Sequence, residues 1–234
     1  MPEIKILSTT AMKTSLEALA PTFEQASGHT LAFAFAPSGR TAKIVAGGEA
    51  NDVAIVTDRG IDELIEQGRI VAGTRVDVAR SPMALAVQKG APRPDISSAE
   101  KFRATMLAAK SVAMSHPTGG GQSGANLVKI FERLGITEAM KAKSIYGPGG
   151  PAGLIGNFLL RNEADVGIQQ LSELMAVPGI DIIGPLPPDI QATTVFSAGL
   201  SSSAKNPEGA KALLALLATP AMADIVRAKG LETP

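Results

Sequence analysis

Short polar loops with anion-binding chemistry recur along this chain of 234 residues. Each loop follows an apolar run, precedes a helical pattern and is built mainly from Ser, Thr, Gly or Gln. Helix N-termini carry unpaired N–H groups and a partial positive charge, so hydroxyl-bearing and glycine loops there form anion pockets. Their recurrence predicts a cleft that closes around a small oxyanion or carboxylate. The five loops are residues 8–11, 37–41, 118–123, 147–151 and, more weakly, 169–172.

Most candidate ligand contacts have a structural alternative. Ser8, Thr9 and Thr10 either donate to a ligand or cap the first helix, and Ser38 with Gly39 is either a contact or a tight turn. Arg40 suits bidentate carboxylate binding, although a solvated position is the alternative. The full set of candidate ligand contacts is Ser8, Thr9, Thr10, Ala11, Ser38, Gly39, Arg40, Thr118, Gly119, Gly120, Gly121, Ser123, Gln169 and Gln170.

Three titratable residues follow predicted strands and could move protons. If the protein is an enzyme, His116 is the first candidate for proton transfer, because histidine titrates near neutral pH; the alternative is a loop histidine bonded to backbone. Asp58 is the second candidate, and its alternative is a cap on a helix beginning at Gly60. Glu173 is expected to be an ordinary acid in the first turn of a helix.

The composition excludes several classes of function. Hydrophobic residues make up 45% and charged residues 19%, and 22 Lys+Arg balance 22 Asp+Glu, which argues against non-specific nucleic-acid binding. Aromatic residues are only 3%, so stacking platforms are not expected. The absence of Cys excludes disulfides and thiolate catalysis. His29 and His116 lie far apart in sequence, and we expect no metal and no cofactor.

The apolar pattern alternates between strands and helices in two series. Residues 4–7, 30–35 and 53–56 are predicted strands of the first series, and a second series begins near residue 98. Such alternation predicts an α/β protein with two lobes, each a mostly parallel sheet flanked by helices. We expect lobe I to comprise residues 1–81 and 197–234, and lobe II, with the crossover segments, residues 82–196.

The order of these segments resembles the type 2 periplasmic binding-protein fold, in the molybdate-binding-protein-like branch of ABC-transporter solute receptors. The matching segments are Ser8–Lys13, Ala36–Gly39, Ala50–Ile55, Glu163–Ile168 with its "ADVGI" strand, and Asn206–Ala210. The resemblance implies two crossover strands, a small anionic ligand, a membrane ABC permease as partner, and a monomer.

The same resemblance places the family's oxyanion loops on residues 8–11, on Ser38 with Gly39, and on residues 116–123. A Tyr that commonly reaches the tetrahedral anion falls at about Gln169 or Gln170, where this chain has none. That departure, with Arg40, favours an organic acid over molybdate. Some members of this branch are aconitate isomerases, which need no cofactor. Two functions therefore stay open: a receptor for a small oxyanion or carboxylate, and an isomerase that shifts a proton on an unsaturated tricarboxylic acid.

The N-terminus gives an expectation about location. No apolar run approaches 18 residues, and no basic segment followed by an apolar one opens the chain. We expect a cytoplasmic protein, or a periplasmic one whose leader has been removed.

Overall fold

The computed structural model describes residues 2–234. Two compact units divide the chain: unit 1 holds the chain up to Ser81 together with Thr194–Pro234, and unit 2 is Pro82–Thr193. The boundary expected after residue 196 would cut the strand Thr194–Leu200. This strand pairs with two strands of unit 1, so the whole of it belongs to that unit.

Within residues 2–234 the strands and helices alternate as the apolar pattern indicates. The strands are β1 (Glu3–Thr9), β2 (Thr30–Ala36), β3 (Val53–Thr57), β4 (Val76–Ser81), β5 (Met83–Gln88), β6 (Val112–Ser115), β7 (Ser144–Gly147), β8 (Val166–Gln170), β9 (Ile180–Pro185) and β10 (Thr194–Leu200). The α-helices are α1 (Lys13–Ser27), α2 (Ser38–Ala46), α3 (Asp58–Glu66), α4 (Ala99–Ala108), α5 (Gln122–Arg133), α6 (Thr137–Lys141), α7 (Gly156–Leu160), α8 (Leu171–Met175), α9 (Pro207–Leu217) and α10 (Pro220–Ala228).

Each unit contains one five-stranded sheet. In unit 1 the order is β2-β1-β3-β10-β4, with β1 parallel to both neighbours and β10 antiparallel to both of its own. In unit 2 the order is β7-β6-β8-β5-β9, with β6 parallel to both neighbours and β5 antiparallel to both of its own. Four of the five strands in each sheet thus point the same way, and the predicted α/β class with mostly parallel sheets is confirmed.

Both faces of each sheet are covered by helices, which explains why the strands read as continuous apolar runs. In β1, Ile4 and Ile6 pack in the cluster that includes residues of α1, α9 and α10, whereas Leu7 packs on the other face with α2 and α3. In β5, Leu85 and Ala86 separate in the same way, toward α4 and α5 on one side and α7 and α8 on the other. Polar chemistry is therefore left to the loops at the strand ends.

The first helix shows how the pattern encodes the packing. Met12, Leu16, Leu19 and Phe23 are all buried, as their helical spacing predicts. Gly28 ends α1 in the left-handed conformation, with φ of 71° and its N–H donated to the Glu24 carbonyl.

No single helix among residues 2–234 is long and apolar enough to cross a membrane. The pair α9 and α10 would be long and apolar enough if taken together, but its two helices are bent by 68°. Both helices contribute buried residues to the core of unit 1.

Candidate functional site

The carboxyl ends of β1, β2 and β3 lie at one edge of the sheet of unit 1, because these strands are parallel. Thr9 at the end of β1 is in register with Ala36 at the end of β2. The Thr57 N–H donates to Ser38 Oγ over 2.9 Å, which ties the end of β3 to the start of α2. Unit 1 thus brings together two of the predicted loops, residues 8–11 and 37–41.

The hydroxyls of the first loop do not cap the helix that follows. Thr9 precedes a 3₁₀ turn, Thr10–Met12, and makes no side-chain cap hydrogen bond, and α1 has no side-chain cap either. Ser8 Oγ donates to the Thr9 carbonyl over 3.3 Å. Thr10 Oγ1 is buried and has no hydrogen-bond partner among the described residues. Capping therefore does not account for Ser or Thr at these positions.

The second loop presents a cation at the start of a helix. Pro37 and Ser38 are buried, whereas Gly39 and Arg40 are exposed. Arg40 lies in the first turn of α2 and makes no ion pair within residues 2–234. A cation at a helix N-terminus is mildly unfavourable unless an anion lies near it. The position therefore favours anion binding.

The third strand end corrects one expectation. Helix α3 begins at Asp58 rather than Gly60, and Thr57 caps it, since Thr57 Oγ1 accepts from the Gly60 N–H over 3.2 Å. Asp58 is only partly buried and is not the cap. Its carboxylate is thus not committed to the helix terminus.

In unit 2 the carboxyl ends of β6, β7 and β8 lie at one edge, because these three strands are parallel. Ser115 is in register with Gly147, and the His116 N–H donates to the Gly147 carbonyl over 3.2 Å. Ser123 Oγ donates to Ser115 Oγ over 3.1 Å, and both side chains are buried. The loop between β6 and α5 is therefore anchored at both ends.

The glycines of this loop have separable roles. Gly120 adopts the left-handed conformation, with a φ of 83°. Gly121 is the N-cap of α5 and has no side chain, so no cap accepts from the first N–H groups of that helix. The closest approach occurs one turn later, at a residue not expected to matter. A Cβ on Gly124 would lie 2.4 Å from the Ser115 carbonyl oxygen. Only glycine lets α5 pack this closely against the end of β6.

His116 is exposed and held by its own loop. Its Nδ1 atom lies 3.2 Å from the Thr118 backbone nitrogen and 3.1 Å from Thr118 Oγ1. Its ring centroid lies 5.2 Å from that of Tyr146, which is 41% exposed. The alternative interpretation of His116, a loop histidine bonded to backbone, therefore holds for Nδ1.

Gln169 and Gln170 at the end of β8 are both buried. Gln169 Oε1 accepts from the Ile155 N–H over 2.8 Å, and it thereby fixes the segment that follows β7. Gln170 is in register with Met83 of β5 and immediately precedes α8.

Glu173 differs from its expected role. It lies in the first turn of α8 but is buried, and burial raises the pKa of its carboxyl group to about 8. It makes no ion pair within the described chain. Glu173 is therefore a neutral acid at pH 7, three residues after the strand end that carries Gln170. The sequence signal for this was the buried strand β8, which ends directly before the short helix α8.

Residues 2–234 contain no group of three or more His, Asp or Glu side chains placed to hold a metal ion. The candidate chemistry consists of hydroxyls, backbone amides, amide side chains, one guanidinium, one imidazole and two carboxyl groups.

Comparisons with known proteins bear on what these loops do. The family model for bacterial extracellular solute-binding proteins matches residues 4–232. An aconitate isomerase of Pseudomonas sp. is 37% identical over 235 residues, covering 98% of this chain and 87% of that protein. The molybdate-binding protein ModA of Azotobacter vinelandii is 25% identical over 235 residues, covering 97% of this chain and 89% of that protein.

A solved structure shows the same fold. The periplasmic molybdate-binding protein of Azotobacter vinelandii superposes with a TM-score of 0.81 at 19% identity, over 99% of each chain. The resemblance stated from the sequence is confirmed. The chain belongs to the bacterial extracellular solute-binding proteins, in their molybdate-binding-protein-like group.

Proposed function

We propose that this protein binds a small di- or tricarboxylate at its strand-end loops and isomerises aconitate. The candidate ligand contacts of unit 1 are residues 8–11 with Ser38, Gly39 and Arg40. Those of unit 2 are residues 118–121 with Ser123, Gln169 and Gln170. The relationship to an aconitate isomerase, 37% identical over 98% of this chain, carries the choice of reaction.

Arg40 supports a carboxylate ligand. Its guanidinium has no ion-pair partner among the described residues. Arg40 lies in the first turn of α2, two residues after Ser38, which is buried and hydrogen-bonded. A guanidinium binds a planar carboxylate with two parallel hydrogen bonds, which a tetrahedral oxyanion uses less well. Gln169 and Gln170, where a Tyr is typical of the molybdate receptors, add an amide environment in place of a phenol.

The proposed reaction is a proton shift on the carbon framework of the acid. One carbon releases a proton, the double bond moves, and a proton is added at another carbon, so no oxidant or cofactor is consumed. Such a step requires a proton acceptor, a proton donor and a cationic group that stabilises developing negative charge. Asp58 and His116 remain the candidates for proton handling, Glu173 joins them as a neutral acid, and Arg40 supplies the charge.

The test is direct. Purified protein is mixed with cis-aconitate, and formation of the trans isomer is followed by chromatography with ultraviolet detection. Turnover that falls sharply in Asp58→Ala or His116→Ala supports the proposal. No turnover by the pure protein, with the fold intact by circular dichroism, rejects isomerisation.

Arg40→Gln sharpens the ligand assignment. Loss of a charged hydrogen bond is worth about 1.5–3 kcal/mol, so affinity for trans-aconitate should fall about 10-fold or more in calorimetric titration. Arg133→Gln is the matched control, because Arg133 is exposed in the last turn of α5 and also makes no ion pair in the described chain. Equal affinity in both variants would remove Arg40 from the ligand site.

Transport reception is the second candidate, favoured by the family and by the molybdate-binding relative. In that role the protein would lie in the periplasm and deliver its anion to an ABC permease. A thermal-shift panel of molybdate, tungstate, sulfate, phosphate and carboxylates separates the two. If a single oxyanion raises the midpoint of thermal unfolding and the protein does not turn over aconitate, the transport-receptor function is favoured.

A further inference from the structure

The ring of His116 has its two nitrogens in different surroundings. Nδ1 faces its own loop and accepts a hydrogen bond from the Thr118 backbone N–H, with 3.2 Å between the two nitrogens. A backbone N–H can only donate, so Nδ1 must be the acceptor of this bond. Nε2 makes no hydrogen bond with any residue in the described chain.

The acceptor role of Nδ1 fixes where the ring proton lies. A neutral imidazole has one protonated nitrogen and one acceptor, and the hydrogen bond at one nitrogen selects the tautomer. We propose that neutral His116 is held as the Nε2–H tautomer and donates this N–H to a ligand oxygen. The Thr118 hydroxyl, 3.1 Å from Nδ1, can add a second donor to the same acceptor.

The neighbouring ring restricts the orientation of the imidazole. Tyr146 lies in β7 with its ring centroid 5.2 Å from that of His116 and the two planes 59° apart. The His116 N–H also donates to the Gly147 carbonyl, which holds the start of the loop against β7. The side chain is therefore positioned from both sides, by the loop that follows it and by the adjacent strand.

The inference deepens the proposed function and rests on it for the identity of the ligand. A neutral Nε2–H is a hydrogen-bond donor that suits a carboxylate oxygen. It is not a proton acceptor at that nitrogen, and Nδ1 is already occupied by a backbone donor. His116 would thus bind and polarise a carboxylate group, and abstraction of the carbon-bound proton would fall to another residue.

The tautomer can be read directly, because the chain has only two histidines. Protein labelled with ¹⁵N is studied by long-range ¹H–¹⁵N correlation at about pH 9, where histidine rings are neutral. His29→Gln assigns the two ring spin systems and leaves the loop of His116 untouched. The expected result is protonated Nε2 and acceptor Nδ1 for His116. A dominant Nδ1–H form, or an even mixture, overturns the proposal.

Two variants test the source of the preference. Thr118→Ala removes the hydroxyl and keeps the backbone N–H, so the Nε2–H pattern should persist. Thr118→Pro removes the N–H, so the preference should weaken. A Thr118→Pro protein that fails to fold leaves the decision with the wild-type spectrum, whereas a change in Thr118→Ala alone assigns the effect to the hydroxyl and overturns the backbone argument.

The ligand role is tested with trans-aconitate as the probe. His116→Ala should weaken binding about 10-fold or more, and His116→Gln, which keeps an N–H donor, should recover part of that loss. Unchanged affinity in His116→Ala, in a protein whose wild type binds the probe, rejects the donor role and leaves the proposed function standing. If the wild type binds no carboxylate of the thermal-shift panel, both the donor role of His116 and the proposed function are rejected, whichever tautomer is found.

Discussion

The two sheets share one strand order. In unit 1, β1 lies between β2 and β3, and the antiparallel β10 separates β3 from β4. In unit 2, β6 lies between β7 and β8, and the antiparallel β5 separates β8 from β9. The carboxyl ends of the parallel strands are nevertheless held differently. Unit 1 uses hydroxyls that bond to backbone, with Ser38 accepting from the Thr57 N–H and Thr41 Oγ1 lying 3.3 Å from the Ser8 carbonyl oxygen. Unit 2 uses close backbone packing at Gly124 and places the buried Glu173 beside its strand end.

This difference determines how each unit responds to substitution. A hydroxyl bonded to backbone contributes about 1 kcal/mol and can be replaced by another hydroxyl. A missing side chain has no such substitute, because added atoms clash. A buried acid lowers stability once it ionises, because its charge must be desolvated. We therefore expect unit 2 to be the more sensitive to single changes at its strand ends.

Glu173→Gln should produce the largest effect. Burial raises the pKa of Glu173 from 4.5 to about 8. Between those values the unfolded chain has lost a proton that the folded chain keeps, so the free energy of unfolding falls as pH rises. At about 1.4 kcal/mol per unit the fall is at most about 5 kcal/mol. Urea titrations at pH 5, 6.5 and 8 should show the fall in wild type and its loss in Glu173→Gln.

The exposed Glu66 of α3 provides the control for this experiment. Glu66→Gln should keep the full decline of stability with pH. A Glu173→Gln protein whose stability still declines like that of wild type would show that another group binds the proton.

Gly124→Ala should come next in size. The added methyl would meet the Ser115 carbonyl at 2.4 Å and the His116 carbonyl at 2.9 Å, and both are backbone atoms that cannot rotate away. Overpacking of this kind costs about 1–3 kcal/mol, more than the helix propensity gained by alanine. Gly121→Ala in the same loop meets its nearest atom, Ser115 Cβ, only at 3.6 Å. Equal urea midpoints for the two variants would contradict the assigned close approach.

Thr57→Ala should give the smallest effect, in unit 1. It removes the cap that accepts the Gly60 N–H, a loss of about 1 kcal/mol. Thr57→Ser keeps the accepting oxygen and should restore most of the stability in thermal unfolding. A loss of the same size in Thr57→Ser would assign the effect to the methyl group rather than to the cap.

Much of the fold could be predicted because its signals are local. Apolar runs gave the strands, helical spacing gave the buried face with Leu16 and Phe23, and strand polarity placed the polar loops at shared edges. The boundary near β10 was missed because pairing partners, not composition, decide which sheet a strand joins.

The errors at the site have a common physical origin. Glu173 has the composition and position of an ordinary first-turn acid, and only the elements packed around α8 bury it. Gly124 reads as one more helical glycine until the distance to the Ser115 carbonyl is known. Thr57 rather than Asp58 caps α3, because both residue types favour the position and one residue of strand length decides between them.

The place of β10 has a consequence for biosynthesis. Strand β10 lies between β3 and β4 in the sheet, yet more than a hundred residues separate it from both strands along the chain. Unit 2 is encoded without interruption and can leave the ribosome complete, while the earlier-made part of unit 1 still lacks an interior strand and both terminal helices. A nascent polypeptide thus holds an open sheet edge on β3 until β10 has been made, which is the interval in which a chaperone would have most to protect.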